Sequence, residues 1–166
     1  MLTLPEYALD KRVFGPVPPE EAQFISPLVS DALSHWHSLK GGRPYPLRRD
    51  FLPENATRFW RYLALMDVLN DDYRIRFFGS KLVETYGELT GRKISELDPA
   101  IRDRNRLIFD ACRDSQRPAY AYWPMSAARD KPFLDVEGLC LPFSKDGTSL
   151  DLIAGLNVSS SRRTLR

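Results

Sequence analysis

The sequence predicts an α+β domain, a five-stranded antiparallel sheet with helices over one face and an amphipathic helix leading into it. Three observations carry that expectation. Residues 60–69 and 73–77 are two strand-like runs separated only by the turn residues Asn70-Asp71-Asp72. Three further strand-like runs, residues 119–127, 133–143 and 149–157, follow Pro118. Between the two groups lies a stretch with helical spacing, so hairpins supply the strand pairing except at one helical crossover.

The elements follow in order. Residues 1–19 hold Pro5, Pro16, Pro18 and Pro19 without a sustained apolar period, and are expected to form an extended arm. Ser26 can cap free amides and Pro27 suits the first helical position, so a helix over 26–40 opens a domain spanning 20–158. Its apolar side is Leu28, Val29, Ala32, Leu33, Trp36 and Leu39, and Gly41-Gly42 stops it. Residues 43–53 form a connector rich in Pro and Arg. In the second strand Tyr73, Ile75 and Phe77 alternate with Arg74 and Arg76, giving one wet face. Leu82, Val83, Tyr86 and Leu89 share one side of a short helix ending near Thr90-Gly91. Asp98-Pro99 opens a longer helix with Ile101, Leu107, Ile108, Ala111 and Cys112 on its apolar side and Arg102, Arg104 and Arg106 toward water. Asp146-Gly147 is the residue pair of a tight hairpin turn. Residues 159–166 combine three serines with three arginines and read as a flexible basic tail.

A chain of 166 residues is long enough to bury a core without staples, and one domain is the default. Lys plus Arg number 24 against 22 for Asp plus Glu, which leaves no basic excess of the kind a general nucleic-acid binder carries. No run reaches the roughly 18 apolar residues that span a bilayer, and the start lacks a signal-peptide apolar region, so a cytoplasmic, non-membrane protein is expected. The two cysteines, Cys112 and Cys140, form no C-x-x-C pair and fit a reducing compartment.

Several motifs then resemble a known group. They are Trp36, the stretch from Gly42 through Arg43, Arg48 and Arg49 to Pro53, and Tyr73-Arg74-Ile75-Arg76-Phe77-Phe78-Gly79. Tyr86-Gly87-Glu88-Leu89-Thr90-Gly91-Arg92, the Asp98-Pro99 step and Leu139-Cys140-Leu141-Pro142-Phe143 before Asp146-Gly147 continue the pattern. Together they resemble the PAS-like domains of bacterial, chiefly alphaproteobacterial, single-domain proteins, over most of the chain. The resemblance implies a PAS fold used for ligand sensing, dimerisation or signal relay. It implies no ligand and no catalytic residue.

The residues themselves narrow the chemistry. His35 and His37 are about 200° apart around a helix and cannot share one ion, which disfavours a metal site and a histidine-ligated haem. Neither cysteine has a histidine beside it, and the cysteine motif of a photoactive flavin adduct is absent. Gly41-Gly42-Arg43-Pro44 lacks the Lys-Ser/Thr ending of a phosphate loop. Arg43, Arg48 and Arg49 could grip an anion, though arginines holding the connector in place explain them as well. The ligand-pocket candidates are Arg76, Tyr86, Cys112, Tyr120, Tyr122 and Trp123, where aromatics could stack on a planar molecule or simply fill the core.

The expected function is therefore non-catalytic. A sensory or relay domain would bind a small molecule, a signalling-protein partner or a second copy of itself, with Leu28, Leu33 and Trp36 as the dimer-helix residues. The alternative is a ligand-free interaction or dimerisation adaptor. For the sensory reading, which sees no output domain in the sequence, the output is expected to come from a partner. An enzyme acting through Asp67 or Cys112 ranks below both, because no base, nucleophile and orienting group recur together.

Overall fold

The computed structural model describes residues 14–51, 57–124, 126–128, 130–131 and 134–161. The chain runs β1 (Phe14–Val17), α1 (Pro27–Lys40), α2 (Thr57–Trp60), β2 (Leu63–Val68), β3 (Tyr73–Phe78) and α3 (Ser80–Tyr86). It continues through α4 (Pro99–Ser115), β4 (Ala119–Trp123), β5 (Leu134–Phe143) and β6 (Leu152–Ser161). All strands pair antiparallel in one sheet, in the order β1-β4-β5-β6-β2-β3. The expected α+β sheet is therefore present. It also gains a sixth strand from the proline-containing arm, where Phe14 and Val17 register with Tyr122 and Tyr120 at the sheet edge. An edge tolerates Pro16 because the missing amide need not serve a neighbour.

Helix α1 starts and stops as its sequence dictates. The Ser26 side chain accepts from the Leu28 amide at 3.2 Å, Pro27 takes the first helical position, and Gly41 ends the helix at φ +58. Its Val29, Ala32 and Trp36 bury against the outer face of the sheet, onto Leu139, Leu141, Phe143 and Leu156. On the opposite, inner face, α4 lays Ile108, Phe109 and Cys112 over Ala119, Ala121, Val136, Cys140 and Ile153. Helix cover on both faces is why every residue of β4 is buried.

Four differences from expectation have local causes. Leu107 is 56% exposed and Phe109 takes its place in the core, since 101, 108, 109 and 112 share a helical stripe that 107 lies outside. The β2–β3 register shifts between Leu65 and Met66, so Phe77 pairs with Leu65 and Ile75 with Met66. This bulge sends Phe77 to the outer side against Trp60 and brings Phe78 inward with Ile75. The serines Ser159, Ser160 and Ser161 are paired in β6 against Val136, Asp135 and Leu134, so the strand covers the start of the expected tail. Residues 1–13 of the arm and 162–166 of the tail lie outside the described residues, and β4 ends at Trp123, short of the expected 119–127, with residues 124, 126 and 127 outside the strand.

Asp146-Gly147 also sits in a wider connection, because Phe143 and Leu152 are the last paired residues and Ser144 to Asp151 link them. Gly147 takes φ +87 there, and the Asp146 carboxylate accepts from the amides of Thr148 at 2.9 Å and Ser149 at 3.0 Å and from the Ser144 hydroxyl at 2.9 Å. The two amides and the hydroxyl hold the Asp146 carboxyl well below the usual carboxylate range. A depressed value stabilises the fold above the unfolded value of about 3.9, and that stabilisation is lost as pH falls through the folded value. Asp146→Asn is accordingly expected to flatten the acid limb of stability, read as urea midpoints between pH 5 and pH 2.

Candidate ligand chamber

Small residues line much of the sheet's inner face. Gly138 of β5 sits under Trp123 and Ile108, and Gly155 of β6 sits under Phe109, whose ring would lie 3.3 Å from a Cβ at that position. With Ala64, Met66, Ile75 and Cys140 they floor a chamber roofed by Leu82, Tyr86 and Leu89 on one side and Ile101, Asn105, Ile108 and Phe109 on the other. The free interior space is about 60 Å³. Its walls are apolar apart from Tyr86, Asn105 and Asn157, and among the described residues no charged side chain lines it. Asn105 commits its Nδ2 to the Ile101 carbonyl at 2.7 Å. Asn157 Nδ2 donates to the Tyr86 hydroxyl at 3.4 Å.

Of the six pocket candidates, Tyr86 and Trp123 line the chamber. The other four do not. Tyr120 and Tyr122 alternate with Trp123 along β4 and therefore point to the outer face, where they donate to Glu137 at 2.6 Å and Asp135 at 2.7 Å. Arg76 follows Ile75 onto the wet side at the bulge and pairs with Asp67 at 3.0 Å. Cys112 is fully buried in the inner core away from the chamber wall, and burial pushes its thiol far above the ordinary range; Cys140 is the cysteine on the wall.

The connector arginines are not gathered into an anion site. Arg48 lies between two carboxylates, 3.5 Å from Asp151 and 3.9 Å from Asp67, and these already neutralise it. Arg43 and Arg49 are exposed. Asp67 in turn is held by Arg48 and Arg76, so the carboxylate considered for catalysis serves as an ion-pair hub. Trp36 belongs to the core of the domain itself, 4% exposed, with Nε1 donating to the Pro142 carbonyl at 2.8 Å; Leu28 and Leu33 are half-buried beside it. His35 is packed between Phe51 and Phe59, where burial lowers its pKa, while His37 is exposed.

On the outer face an unexpected carboxylate ties α1 to the sheet. Glu137 is 4% exposed and accepts from the Ile25 amide at 2.7 Å, the Ser26 amide at 2.9 Å and the Tyr120 hydroxyl. Burial pushes its carboxyl up, against the pull of these three donors. Glu137 is adjacent to Gly138, so consecutive residues of β5 face the α1 anchor and the chamber floor.

A two-layered helical cover, an inner chamber and an anchored leading helix agree with a family match: the family model described as PAS domain covers residues 26–158. The chain belongs to the PAS domain family. Among solved structures this PAS domain is similar to an RNA-binding light-oxygen-voltage receptor, at 14% identity and a TM-score of 0.49, covering 72% of this chain and 36% of that one. It is also similar to a sensory box sensor histidine kinase from Vibrio cholerae, at 19% identity and a TM-score of 0.47, covering 80% of this chain and 98% of that one. The chain thus spans about a third of the length of the light-oxygen-voltage receptor. A search of curated protein sequences finds no match. No helix among the described residues of the PAS domain is long and apolar enough to cross a membrane.

Sequence reasoning passed over Asn157, Gly138 and Glu137. Each carried a signal. Asn157 interrupts an apolar run between Leu156 and Val158, and Gly138 breaks a strand that is otherwise apolar on that face. Asp135 and Glu137, two apart on β5, lie diagonal to Tyr122 and Tyr120 on β4, an alternation that places acids and phenols together.

Proposed function

We propose that this PAS domain is a sensory and signal-relay module that takes up a small neutral molecule in its inner chamber and relays occupancy to the leading helix. The chamber itself carries the reading. A space of about 60 Å³, at roughly 10–15 Å³ for each water-sized body, suits a guest of about half a dozen non-hydrogen atoms rather than a flavin or a porphyrin. Apolar walls with a few polar groups favour a neutral guest, since a charge there would be desolvated without a partner.

Relay has a physical route because β4 and β5 carry both sites. Trp123 and Gly138 face the chamber, and Tyr120 and Glu137 on the same strands hold the start of α1. The receiver is a signalling-protein partner or a second copy, with Leu28 and Leu33 on the flank of α1 available to it.

Native mass spectrometry of the purified protein, with its absorbance spectrum, tests the reading. A retained small molecule is the expected result. Persistently empty protein that still engages a partner would replace it with the second reading, a ligand-free adaptor, which the small size of the chamber favours.

A further inference from the structure

The chamber shares wall residues with two surface grooves, with Tyr86 at one and Asn157 at the other. Tyr86 and Ile101 line the chamber and also a surface groove bordered by Val83, Asp130 and Lys131. Asn157 and Leu82 line the chamber and also a second groove beside Tyr62 and Ser159. We propose that Tyr86 and Asn157 form a polar gate that admits and orients a small neutral molecule with an apolar body and one hydroxyl or carbonyl group. The proposal rests on the chamber reading and adds the residues that choose the guest and its way in.

Three features support it. The bond joining the pair is long, 3.4 Å, at the weak end of hydrogen-bond geometry, so a guest can displace it at little cost. Asn157 Oδ1 accepts from the Ser159 hydroxyl, which leaves its amide nitrogen turned to Tyr86, where an entering oxygen would meet both a donor and a hydroxyl.

The second feature is the unequal fastening of α3. Its start is fixed: the Lys81 amide donates to the Arg61 carbonyl at 2.9 Å and the Gly79 amide to the Leu63 carbonyl at 2.8 Å. Its end, which carries Tyr86, runs into Gly87 at φ +81, whose amide donates back to the Val83 carbonyl of the same helix at 2.8 Å and whose Cβ position has nothing within 4 Å. Displacement of the helix is therefore easiest at Tyr86.

The third feature is charge. The first groove presents Lys131 and Asp130, paired at 3.0 Å, and Glu84, paired with Lys81 at 3.4 Å, so each charge the described residues bring to the rim is met by an opposite one. A neutral guest passes it and finds its polar partners at the gate.

The test uses cyclopentanol and methylcyclopentane, which match in size and differ in one hydroxyl, titrated into the full chain while the amide resonances of Gly138 and Gly155 are followed. The wild-type protein is expected to bind the alcohol roughly fivefold to tenfold more tightly, the worth of about one hydrogen bond. Tyr86→Phe and Asn157→Val are each expected to bring that preference to within about twofold, with thermal unfolding close to wild type. Tyr86→Ala is expected to raise the exchange rate of both probes. Uptake of both probes with the alcohol preference intact in Tyr86→Phe and Asn157→Val overturns the gate and leaves the chamber standing. Uptake of neither probe by the wild-type protein overturns the gate together with the chamber reading.

Discussion

Replacing Glu137 with alanine is expected to lower the unfolding free energy by about 3–5 kcal/mol, the range seen when one partner of a buried charged network is removed. The carboxylate is buried and accepts from two successive backbone amides, those of Ile25 and Ser26, and from the Tyr120 hydroxyl. Truncation strands all three donors where water has little access, and each stranded donor costs about 1–3 kcal/mol. Glu137→Gln keeps one carbonyl oxygen but turns an amide group toward donors, so an intermediate loss of about 1–2 kcal/mol is expected. Urea unfolding measures both. Hydrogen exchange locates the cause: amides of Ile25 and Ser26 should lose protection in either variant while the β5–β6 ladder retains it. Loss of protection throughout, with none localised at α1, would assign Glu137 to general packing instead of anchoring.

The same anchor shows where the sequence was readable and where it was not. Helix α1 was legible to the residue because a capping serine, a first-turn proline, a 3.6-residue apolar period and a terminal glycine all agree on it. Tyr86 and Trp123 were legible as chamber residues because large side chains on a short helix and a central strand have few other places to go. Tyr120 and Tyr122 went to the wrong side through composition overruling period: grouping them with Trp123 ignored that neighbours on a strand face opposite ways. Phe77 followed the period correctly and was still misplaced, since a bulge at Arg76 leaves no mark in the alternation before it. The sixth strand was hidden for another reason. Four residues containing Gly15 and Pro16 have no strand propensity of their own and become a strand only because the edge of β4 is there to pair with. Helix α1 and the chamber wall are thus local properties, while the strand edge and the Glu137 anchor depend on which segments the fold brings together.

Gly79→Ala is expected to cost about 3 kcal/mol or more, the largest effect of any glycine replacement near the chamber, although Gly79 has an ordinary negative φ of −66 that alanine adopts freely. The obstacle is space. A Cβ there would collide with the Trp60 carbonyl oxygen and lie 2.5 Å from that of Arg61, both backbone atoms. The Arg61 carbonyl accepts from the Lys81 amide, and the Gly79 amide donates to the Leu63 carbonyl, so relief of the clash disturbs hydrogen bonds that begin α3. Overpacking of about 1–3 kcal/mol and one or two lost hydrogen bonds add to the expected figure. Gly87→Ala, at the other end of the same helix, is the contrast. Nothing lies within 4 Å of its Cβ, and only the backbone opposes it: φ +81 with ψ 174 is a conformation that glycine alone adopts readily, at a cost of about 1–3 kcal/mol for another residue. Denaturant unfolding of the two variants compares steric and conformational demands across one short helix. A Gly79→Ala loss no larger than that of Gly87→Ala would mean that the start of α3 yields, and would shift the pivot of the Tyr86 gate from the free end of the helix to the β3–α3 corner.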